Sequence, residues 1–457
     1  MDKSKAMGTE KVSSLLWKFS VPAIFAMLVN ALYNVVDSIF VGRGVGEIGL
    51  TAVTIAFPLM MVLMAVGMLL GMGSATLISI RLGENNKKAA ELILGNAFAL
   101  ILILVITLTA GALFFLDPIL IILGATPEVL PYARDFSQII LGGSLFMHIA
   151  FGMNGAIRAQ GDQKTAVKTM LISAVLNMIL NPLFIVGFHL GIRGSALATV
   201  VAQAVAAIWV LVYFVRGMGT LKLNRQCFGL KADIALSIVK IGMPMFLMQF
   251  TNSLVMVIVN YQIMAHGGQI AIAAYGVINR VFMLTLMPVL GIMQGAQPII
   301  GYNFGAKQFS RVLTTLKLAT LTTTACCLLA FVLVETFAVQ VMQIFSDDAE
   351  LVSLGAFAIR INLAMLPLIG FQIAGAQYFQ AVGKANYSIV LNLLRQVILL
   401  IPVVSILPGF LGLLGVWMAG PISDLGASVI TAACIVMELK RLSEAQREQN
   451  EGQLSPG

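Results

Sequence analysis

The chain contains about twelve long apolar stretches, each close to the roughly 20 residues that a helix needs to cross a bilayer. No other feature constrains its fold as strongly. Of the 457 residues, 59% are hydrophobic and only 11% are charged, whereas soluble domains carry about 25% charged residues. We therefore predict an all-α integral membrane protein and exclude both a soluble globular domain and a disordered chain. The predicted spans are 16–41, 51–80, 92–116, 136–157, 167–188, 194–215, 238–264, 272–300, 314–340, 353–381, 387–407 and 411–437.

Lysine and arginine residues are distributed unevenly among the segments that separate these spans. With the N-terminus in the cytoplasm, most of the 28 Lys and Arg residues lie on the inner side, and the outer loops hold only Arg43 and Arg193. Because positive residues stay on the cytoplasmic side during insertion, both termini are predicted to be cytoplasmic. The net charge of +8 therefore indicates topology, and no nucleic-acid partner is expected.

The two halves of the chain repeat each other at an offset of 222 residues. Internal symmetry of this kind is typical of transporters, and six helices per half predict two lobes related by an axis along the membrane normal. We predict an N-terminal lobe at 1–216, a cytoplasmic linker at 217–236, a C-terminal lobe at 237–440 and a tail at 441–457. The offset relates four pairs of residues, namely Pro22 and Pro244, Gly73 and Gly295, Gly83 and Gly305, and Gly161 and Gly383.

A carboxylate in the first span is the strongest candidate for a functional residue. Asn30, Asn34 and Asp37 are spaced four and three residues apart, which places them on one stripe of a helix, and Tyr33 lies one turn from Asp37. An ionisable residue inside a membrane span is costly and usually functional. The alternative is structural, with Asn and Asp holding neighbouring helices together.

Further polar residues in the spans extend this candidate site. Asn177 and Asn181 lie four apart in the fifth span and Thr199 lies in the sixth, where they can bind a carboxylate or a cation. Asp424 in the last span is a second acidic candidate, although a structural pair with Arg395 fits it equally well. For the second half, packing between helices is as good an explanation as substrate contact. Together with Asn30, the substrate-binding candidates are Gln249, Asn252, Met256, Asn260, Arg280, Gln372 and Gln377.

Several other classes of protein are excluded by what the sequence lacks. No G-x-x-x-x-G-K-[ST] motif is present, so ATP hydrolysis is not expected as the energy source. Neither a nucleophile–base arrangement nor a metal-ligand spacing occurs among the four Cys and three His residues. We therefore predict a secondary transporter that is not an enzyme and that has no cofactor or metal beyond a coupling ion.

From about residue 10 to 440 the chain resembles the multidrug and toxin extrusion (MATE) transporters, and specifically their Mep-type and DinF-like bacterial branch. The resemblance rests on the segments "VPAIFAMLVNALYNVVDSIFVGRGVGEIGLTAV", "LISIRLGENN", "RAQGDQKTA" and "LNMILNPLFIVGFHLGIRGSALAT", combined with the six-plus-six repeat. It implies the MATE fold, with two six-helix lobes around a central cleft. It also implies a bacterial inner-membrane monomer that exports cationic, amphipathic compounds in exchange for H⁺ or Na⁺ and contacts membrane lipids.

The resemblance also implies roles for individual residues. Asp37 matches the acidic residue of the family's first helix, and Pro22 matches its kink proline, which serves as a hinge. Asn177 and Thr199 match members of the family's cation network. Asn181 departs from the pattern, because many relatives have Asp there, and this departure favours H⁺ over Na⁺ as the coupling ion. The alternative is a lipid or polysaccharide-precursor flippase of the same superfamily, which would share the fold.

Overall fold

The computed structural model describes residues 3–224 and 227–454, without the side chains of 33–36, 38, 39, 43 and 448–454. These residues are almost entirely helical, and no β-strand occurs among them. The helices of the first half are α1 (Lys3–Thr9), α2 (Val12–Val45), α3 (Glu47–Gly83), α4 (Lys87–Phe114), α5 (Leu116–Ile122), α6 (Leu130–Ala159), α7 (Gln163–Pro182), a π-helical turn (Leu183–Gly187) and α8 (Gly191–Val215). The remaining helices are α9 (Ala232–Gly305), α10 (Phe309–Gln343), α11 (Ala349–Asn362), α12 (Leu366–Ala381), α13 (Ala385–Leu393), a π-helical segment (Leu394–Leu400), α14 (Ile401–Ile406), α15 (Pro408–Leu411) and α16 (Leu413–Leu454).

The described helices confirm the predicted all-α membrane architecture. Ten of them are long and apolar enough to cross a bilayer, and the bent pair α11 and α12 brings the number to eleven. α9 has 74 residues, about 110 Å at 1.5 Å per residue, which far exceeds one bilayer. It contains a non-helical Gly268 at φ 66°, so it provides two spans and the described residues account for the predicted twelve.

One predicted span is interrupted, which corrects the expectation of a continuous helix over 353–381. α11 ends at Asn362 and α12 begins at Leu366, and the two are bent by 46°. Pro367 explains the break, because it lacks an N–H and its ring clashes with the carbonyl group four residues earlier. The predicted span 387–407 consists of three contiguous elements, namely α13, a π-helical segment and α14.

The backbone repeats at the offset that the sequence predicts. Gly83 and Gly305 are each the last residue of a helix. Gly161 and Gly383 both adopt positive φ, at 82° and 78°. Two further pairs, which sequence analysis did not identify, obey the same offset with positive φ angles: Gly46 with Gly268, and Asn85 with Lys307. The two six-helix halves therefore share one backbone design.

The described residues form two compact units, each with its own apolar core. Unit 1 comprises residues 3–10 and 25–246, and unit 2 comprises residues 11–24 and 247–454. In unit 1, a side chain on Gly73 would meet the backbone nitrogen of Gly242 at 3.1 Å, so the backbones of α3 and α9 touch there. In unit 2, a side chain on Gly295 would meet the backbone nitrogen of Ser20 at 2.9 Å. Residues 73 and 295, like 20 and 242, are again 222 apart, so the close contacts repeat as well.

The segment between α8 and α9 is bonded to unit 1. The backbone N–H of Leu221 donates to Gln160 Oε1 at 2.9 Å, and that of Lys231 donates to Asn96 Oδ1 at 2.7 Å. Close by, the buried Asp162 accepts hydrogen bonds from Lys3 at 2.6 Å and from Tyr213 at 3.0 Å. The predicted division into two lobes and a cytoplasmic linker stays a prediction.

Candidate functional site

Asp37 lies half-buried in α2 and accepts two hydrogen bonds from other helices of unit 1. Its Oδ1 atom accepts from Asn181 Nδ2 at 2.5 Å, at the end of α7, and from Ser195 Oγ at 3.3 Å, in the first turns of α8. Both donors are almost fully buried, at 1% exposure each. Three helices therefore converge on one carboxylate, as the sequence predicts for Asp37 and Asn181.

The hydrogen bonds continue away from the carboxylate. Asn181 Nδ2 also donates to Asn177 Oδ1 at 2.8 Å, and Asn177 Nδ2 donates to Thr199 Oγ1 at 3.0 Å. Asn177 and Asn181 are one turn apart on α7, so both amides face the same side of that helix. We refer to Asp37, Asn177, Asn181, Ser195 and Thr199 as the Asp37 cluster. Asp37 is its only ionisable member.

One acceptor in the Asp37 cluster is unused. The Oδ1 atom of Asn181 is buried and has no hydrogen-bond partner among the described residues. A buried carbonyl oxygen without a partner costs about 1–3 kcal/mol, so the cluster is suited to receive either a donor or a small cation at this oxygen. A protonated carboxyl group on Asp37 is such a donor.

A small cavity of about 80 Å³ in unit 1 shares Asn177 and Thr199 with the cluster. Since a water molecule occupies about 30 Å³ in the liquid, the cavity has room for about two. Its polar lining comes from Asn30, Asn154, Arg158, Thr169, Ser173, Asn177, Thr199 and Gln203. Arg158 donates to Asn154 Oδ1 at 2.7 Å. Two of the coupling candidates, Asn177 and Thr199, thus line the same cavity as Asn30, which is predicted to contact substrate.

Three other predicted residues of the first span, Tyr33, Asn34 and Pro22, are not part of the Asp37 cluster as the structure describes it. The side chains of Tyr33 and Asn34 lie outside the described residues. Pro22 lies within α2, in the part that belongs to unit 2, whereas Asp37 lies in the part that belongs to unit 1. Its role as a hinge stays a prediction.

The predicted substrate residues of the second half divide into exposed and buried side chains. Asn252, Met256 and Arg280 are exposed on unit 2, while Gln249 and Asn260 are half-buried. Asn252 accepts a hydrogen bond from Gln396, and Arg280 has no hydrogen-bond or ion-pair partner among the described residues. Gln372 and Gln377 are instead buried, at 3% and 9% exposure. The amide of Gln372 donates to the backbone of Leu391 at 3.4 Å.

The second acidic candidate, Asp424, is paired. Arg395 Nε donates to Asp424 Oδ1 at 2.5 Å, and the two side chains are 20% and 6% exposed. Arg395 lies in the π-helical segment 394–400, directly before Gln396. The charge of Asp424 is therefore balanced within unit 2, whereas Asp37 has no ion-pair partner among the side chains that the structure describes.

Sequence analysis missed Ser195 in the cluster and five polar residues that line the cavity, namely Asn154, Arg158, Thr169, Ser173 and Gln203. A signal for Ser195 and Gln203 was present, since Ser195, Thr199 and Gln203 are spaced four apart along α8 and share one face of it. No group of three or more His, Cys, Asp or Glu residues that could hold a metal ion occurs in the described part of the chain.

Comparisons with known proteins agree with this architecture. The MatE family model matches residues 22–183 and 244–406, two segments that begin 222 residues apart. The multidrug export protein MepA of Staphylococcus saprophyticus is 27% identical over 434 residues, which cover 95% of this chain and 96% of that protein. MepA of Staphylococcus aureus strain MSSA476 is 28% identical over 411 residues, 89% of each chain.

Solved structures with the same fold are also similar to this chain. A MATE structure in the bent conformation gives a TM-score of 0.91 at 25% identity, over 98% of this chain and 99% of that one. A MOP superfamily transporter from Pyrococcus furiosus, described as having a binding pocket of reverse polarity, gives a TM-score of 0.89 at 26% identity, over 96% of this chain and 98% of that one.

Proposed function

The chain belongs to the MatE family, and from this premise we propose that it is a secondary multidrug exporter in which Asp37 couples substrate export to ion entry. The proposed substrates are cationic, amphipathic small molecules, and the proposed coupling ion is H⁺. The multidrug export proteins among its relatives support the export of small-molecule drugs. The observation that carries the coupling role is the Asp37 cluster, in which a single carboxylate accepts hydrogen bonds from Asn181 and Ser195, and two other members of the cluster line a cavity.

Protonation would reverse part of the hydrogen-bond chain. While Asp37 is charged, both N–H groups of Asn181 donate, one to Asp37 and one to Asn177. A protonated carboxyl group becomes a donor, and Asn181 Oδ1 is an unused acceptor within the same cluster. Turning the Asn181 amide to accept this proton withdraws its donor from Asn177, which in turn changes the bond from Asn177 to Thr199. One proton therefore rearranges contacts on α2, α7 and α8 together.

Competition between proton and substrate provides the exchange. A cationic substrate is attracted to charged Asp37 and loses that attraction when the carboxylate is neutralised. Exporting a monovalent cation against 100 mV costs about 2.3 kcal/mol, and one entering proton returns the same electrical work. One-for-one exchange is thus electrically neutral, and the pH difference drives it.

Na⁺ is the alternative coupling ion. The cluster offers it oxygen atoms from Asp37, Asn181, Asn177 and Thr199. It has one carboxylate only, because Asn181 stands where a second acid would strengthen cation binding. This arrangement favours H⁺.

The proposal is tested by ethidium transport in inside-out membrane vesicles, with either a pH gradient or a Na⁺ gradient imposed. We expect the pH gradient to drive ethidium uptake in the native protein. Asp37→Asn should reduce uptake to the background level, since the substituted amide keeps an acceptor for Asn181 but cannot exchange a proton. Asp135→Asn is the matched control, because it removes another half-buried carboxylate of unit 1, one that pairs with Arg193 at 2.9 Å.

Three results would decide against the proposal. Normal ethidium uptake by Asp37→Asn would exclude the carboxylate mechanism. Uptake driven by the Na⁺ gradient alone would replace H⁺ by Na⁺. Equal loss in Asp135→Asn, at equal membrane abundance, would show that the loss in Asp37→Asn is not specific to the cluster.

A further inference from the structure

Unit 2 has a groove of about 430 Å³ that the proposed transport mechanism does not use. This volume falls within the range of about 300–1,000 Å³ that is usual for sites of small organic ligands. The groove lies among α10, α11, α12 and α16. Apolar residues line most of it, namely Ile361, Ala364, Met365, Met418, Pro421, Ile422 and Leu425.

The groove exists because the span formed by α11 and α12 is broken. Ala364 and Met365 lie at the break, between Asn362 and Leu366, where the helix axis bends by 46°. Pro421 of α16 forms part of the facing wall. The opening is thus part of the backbone design and does not depend on one side-chain rotamer.

Two opposite charges stand side by side in the groove. Arg360 Nε donates to the backbone oxygen of Glu335 at 3.3 Å and lies 3.8 Å from its carboxylate oxygen Oε1. The side chains are 44% and 45% exposed. A guanidinium group has five N–H donors, and the terminal ones of Arg360 have no partner among the described residues. A single zwitterionic ligand could therefore donate to the Glu335 carboxylate and accept hydrogen bonds from the terminal N–H groups of Arg360 at the same time.

The two charges lie at the same depth along their helices. At about 1.5 Å per residue, Glu335 is about 39 Å from the start of α10 at Phe309. Arg360 lies at the same level because its Nε is 3.8 Å from the Glu335 carboxylate. Lys384 is ion-paired with Glu438 at the opposite end of unit 2. Because the hydrocarbon core is about 30 Å thick, Glu335 and Arg360 reach the headgroup level of the predicted outer leaflet.

The apolar wall lies below that level. Leu425 and Met418 are about 20 Å and 30 Å along α16 from Glu438, which places them within the outer half of the hydrocarbon region. Ile422 and Leu425 are 42% and 47% exposed, so the apolar wall of the groove is accessible from outside unit 2.

We propose that this groove binds one zwitterionic phospholipid of the outer leaflet, with a primary-amine headgroup of the phosphatidylethanolamine type. The phosphate accepts hydrogen bonds from Arg360, the ammonium group donates to Glu335, and an acyl chain occupies the apolar groove. An anionic lipid without the amine would leave Glu335 facing added negative charge. A purely cationic amphiphile would lie against Arg360.

The experiment is native mass spectrometry of the full-length protein, delipidated in detergent and titrated with phosphatidylethanolamine or phosphatidylglycerol of identical acyl chains. We expect tighter binding of phosphatidylethanolamine. Arg360→Gln should weaken it about tenfold, which corresponds to the loss of one charge-assisted hydrogen bond. Ala364→Trp, which fills the groove, should weaken both lipids. Arg134→Gln is the matched control, since Arg134 pairs with Asp117 at 2.6 Å in unit 1 and their side chains are similarly exposed, at 43% and 41%.

Specific outcomes would overturn the assignment. Equal binding of the two lipids would remove the zwitterion selectivity. Unchanged phosphatidylethanolamine binding in both Arg360→Gln and Ala364→Trp would place the lipid elsewhere, and an equal loss in Arg134→Gln would reduce the effect to general surface charge. Displacement of the lipid by tetraphenylphosphonium with higher affinity than the lipid itself would assign the groove to cationic amphiphiles. Because binding is measured without transport, these outcomes are independent of the role of Asp37.

Discussion

The ion pair between Arg395 and Asp424 offers a quantitative test of which acidic residue couples transport. We consider the single substitution Asp424→Leu and the double substitution Asp424→Leu with Arg395→Met. Asp424 is 6% exposed and Arg395 is 20% exposed, and their contact of 2.5 Å is the only ion pair of either residue in the described part of the chain. Removing Asp424 therefore leaves a largely buried guanidinium group without a counter-charge.

The expected cost follows from that burial. Breaking a buried ion pair from one side typically costs about 3–5 kcal/mol, and an unpaired charge within a bilayer costs about 2.5–3.5 kcal/mol. Because Arg395 keeps some exposure, we expect about 3 kcal/mol for Asp424→Leu. Replacing both partners by apolar residues removes the stranded charge, so the double variant should fall within about 1 kcal/mol of the native protein.

Thermal unfolding of the purified protein in detergent measures this cycle, and ethidium uptake in vesicles measures function. The single variant should melt well below the native protein, and the double variant should melt near it and still transport ethidium. If the double variant is as unstable as the single one, the ion-pair argument is wrong. If it folds normally but no longer transports, Asp424 takes part in coupling and Asp37 does not act alone.

Two further predictions concern packing and pH in unit 1. Gly242→Ala would place a methyl group 1.8 Å from the Leu69 carbonyl oxygen and should cost about 1–3 kcal/mol in thermal stability. Gly276→Ala in the same long helix is the control, because its methyl group would meet nothing within 4 Å and should be neutral or slightly stabilising. Equal melting temperatures of the two variants would contradict this reasoning. Burial alone would raise the pKa of Asp162. Hydrogen bonds from Lys3, Thr165 and Tyr213, together with the positive charge of Lys3, instead lower this pKa below its ordinary value. The resulting stabilisation is fully present above about pH 4 and is lost progressively as the pH falls through the lowered pKa of Asp162. Lys3→Met should therefore melt lower than the native protein at pH 7, and the difference should shrink as the pH is lowered below about 4. A difference that stays constant over this range would exclude the ion pair as the cause.

The sequence predicts those features of the fold that local chemistry determines. The spans follow from runs of apolar residues, and the repeat follows from glycines that occupy equivalent turns, such as Gly161 and Gly383 with positive φ. Asp37 stands out because a carboxylate within a span is costly. These signals each lie within a short segment, so they are readable without tertiary structure.

Other features depend on contacts between segments that are far apart in the sequence, so no short stretch of residues predicts them. The hydrogen bond from Asn181 to Asp37 joins residues that are 144 apart in the sequence. The hydrogen bond from Gln372 to Leu391 holds in the interior a side chain for which the sequence left substrate contact and helix packing equally open. The break before Pro367 was obscured because apolar residues continue on both sides of it. The groove that results could be recognised only once α10 and α16 were seen beside the break.

The repeat itself provides an argument about the role of the Asp37 cluster. If the cluster served mainly to hold helices together, a second half with the same backbone design would need a comparable set of polar residues. At the offset of 222, however, the position of Asp37 is occupied by Val259, which is 5% exposed, and the positions of Asn177, Asn181 and Ser195 by Leu399, Val403 and Trp417. Shifting the last three by one residue in either direction again gives only apolar residues. Unit 1 therefore has the polar cluster, whereas unit 2 has apolar residues at these equivalent positions. Helix packing in this backbone design thus does not require the cluster. A half-buried carboxylate that helix packing does not require is best explained by chemistry, which favours unit 1 as the half that binds the coupling ion.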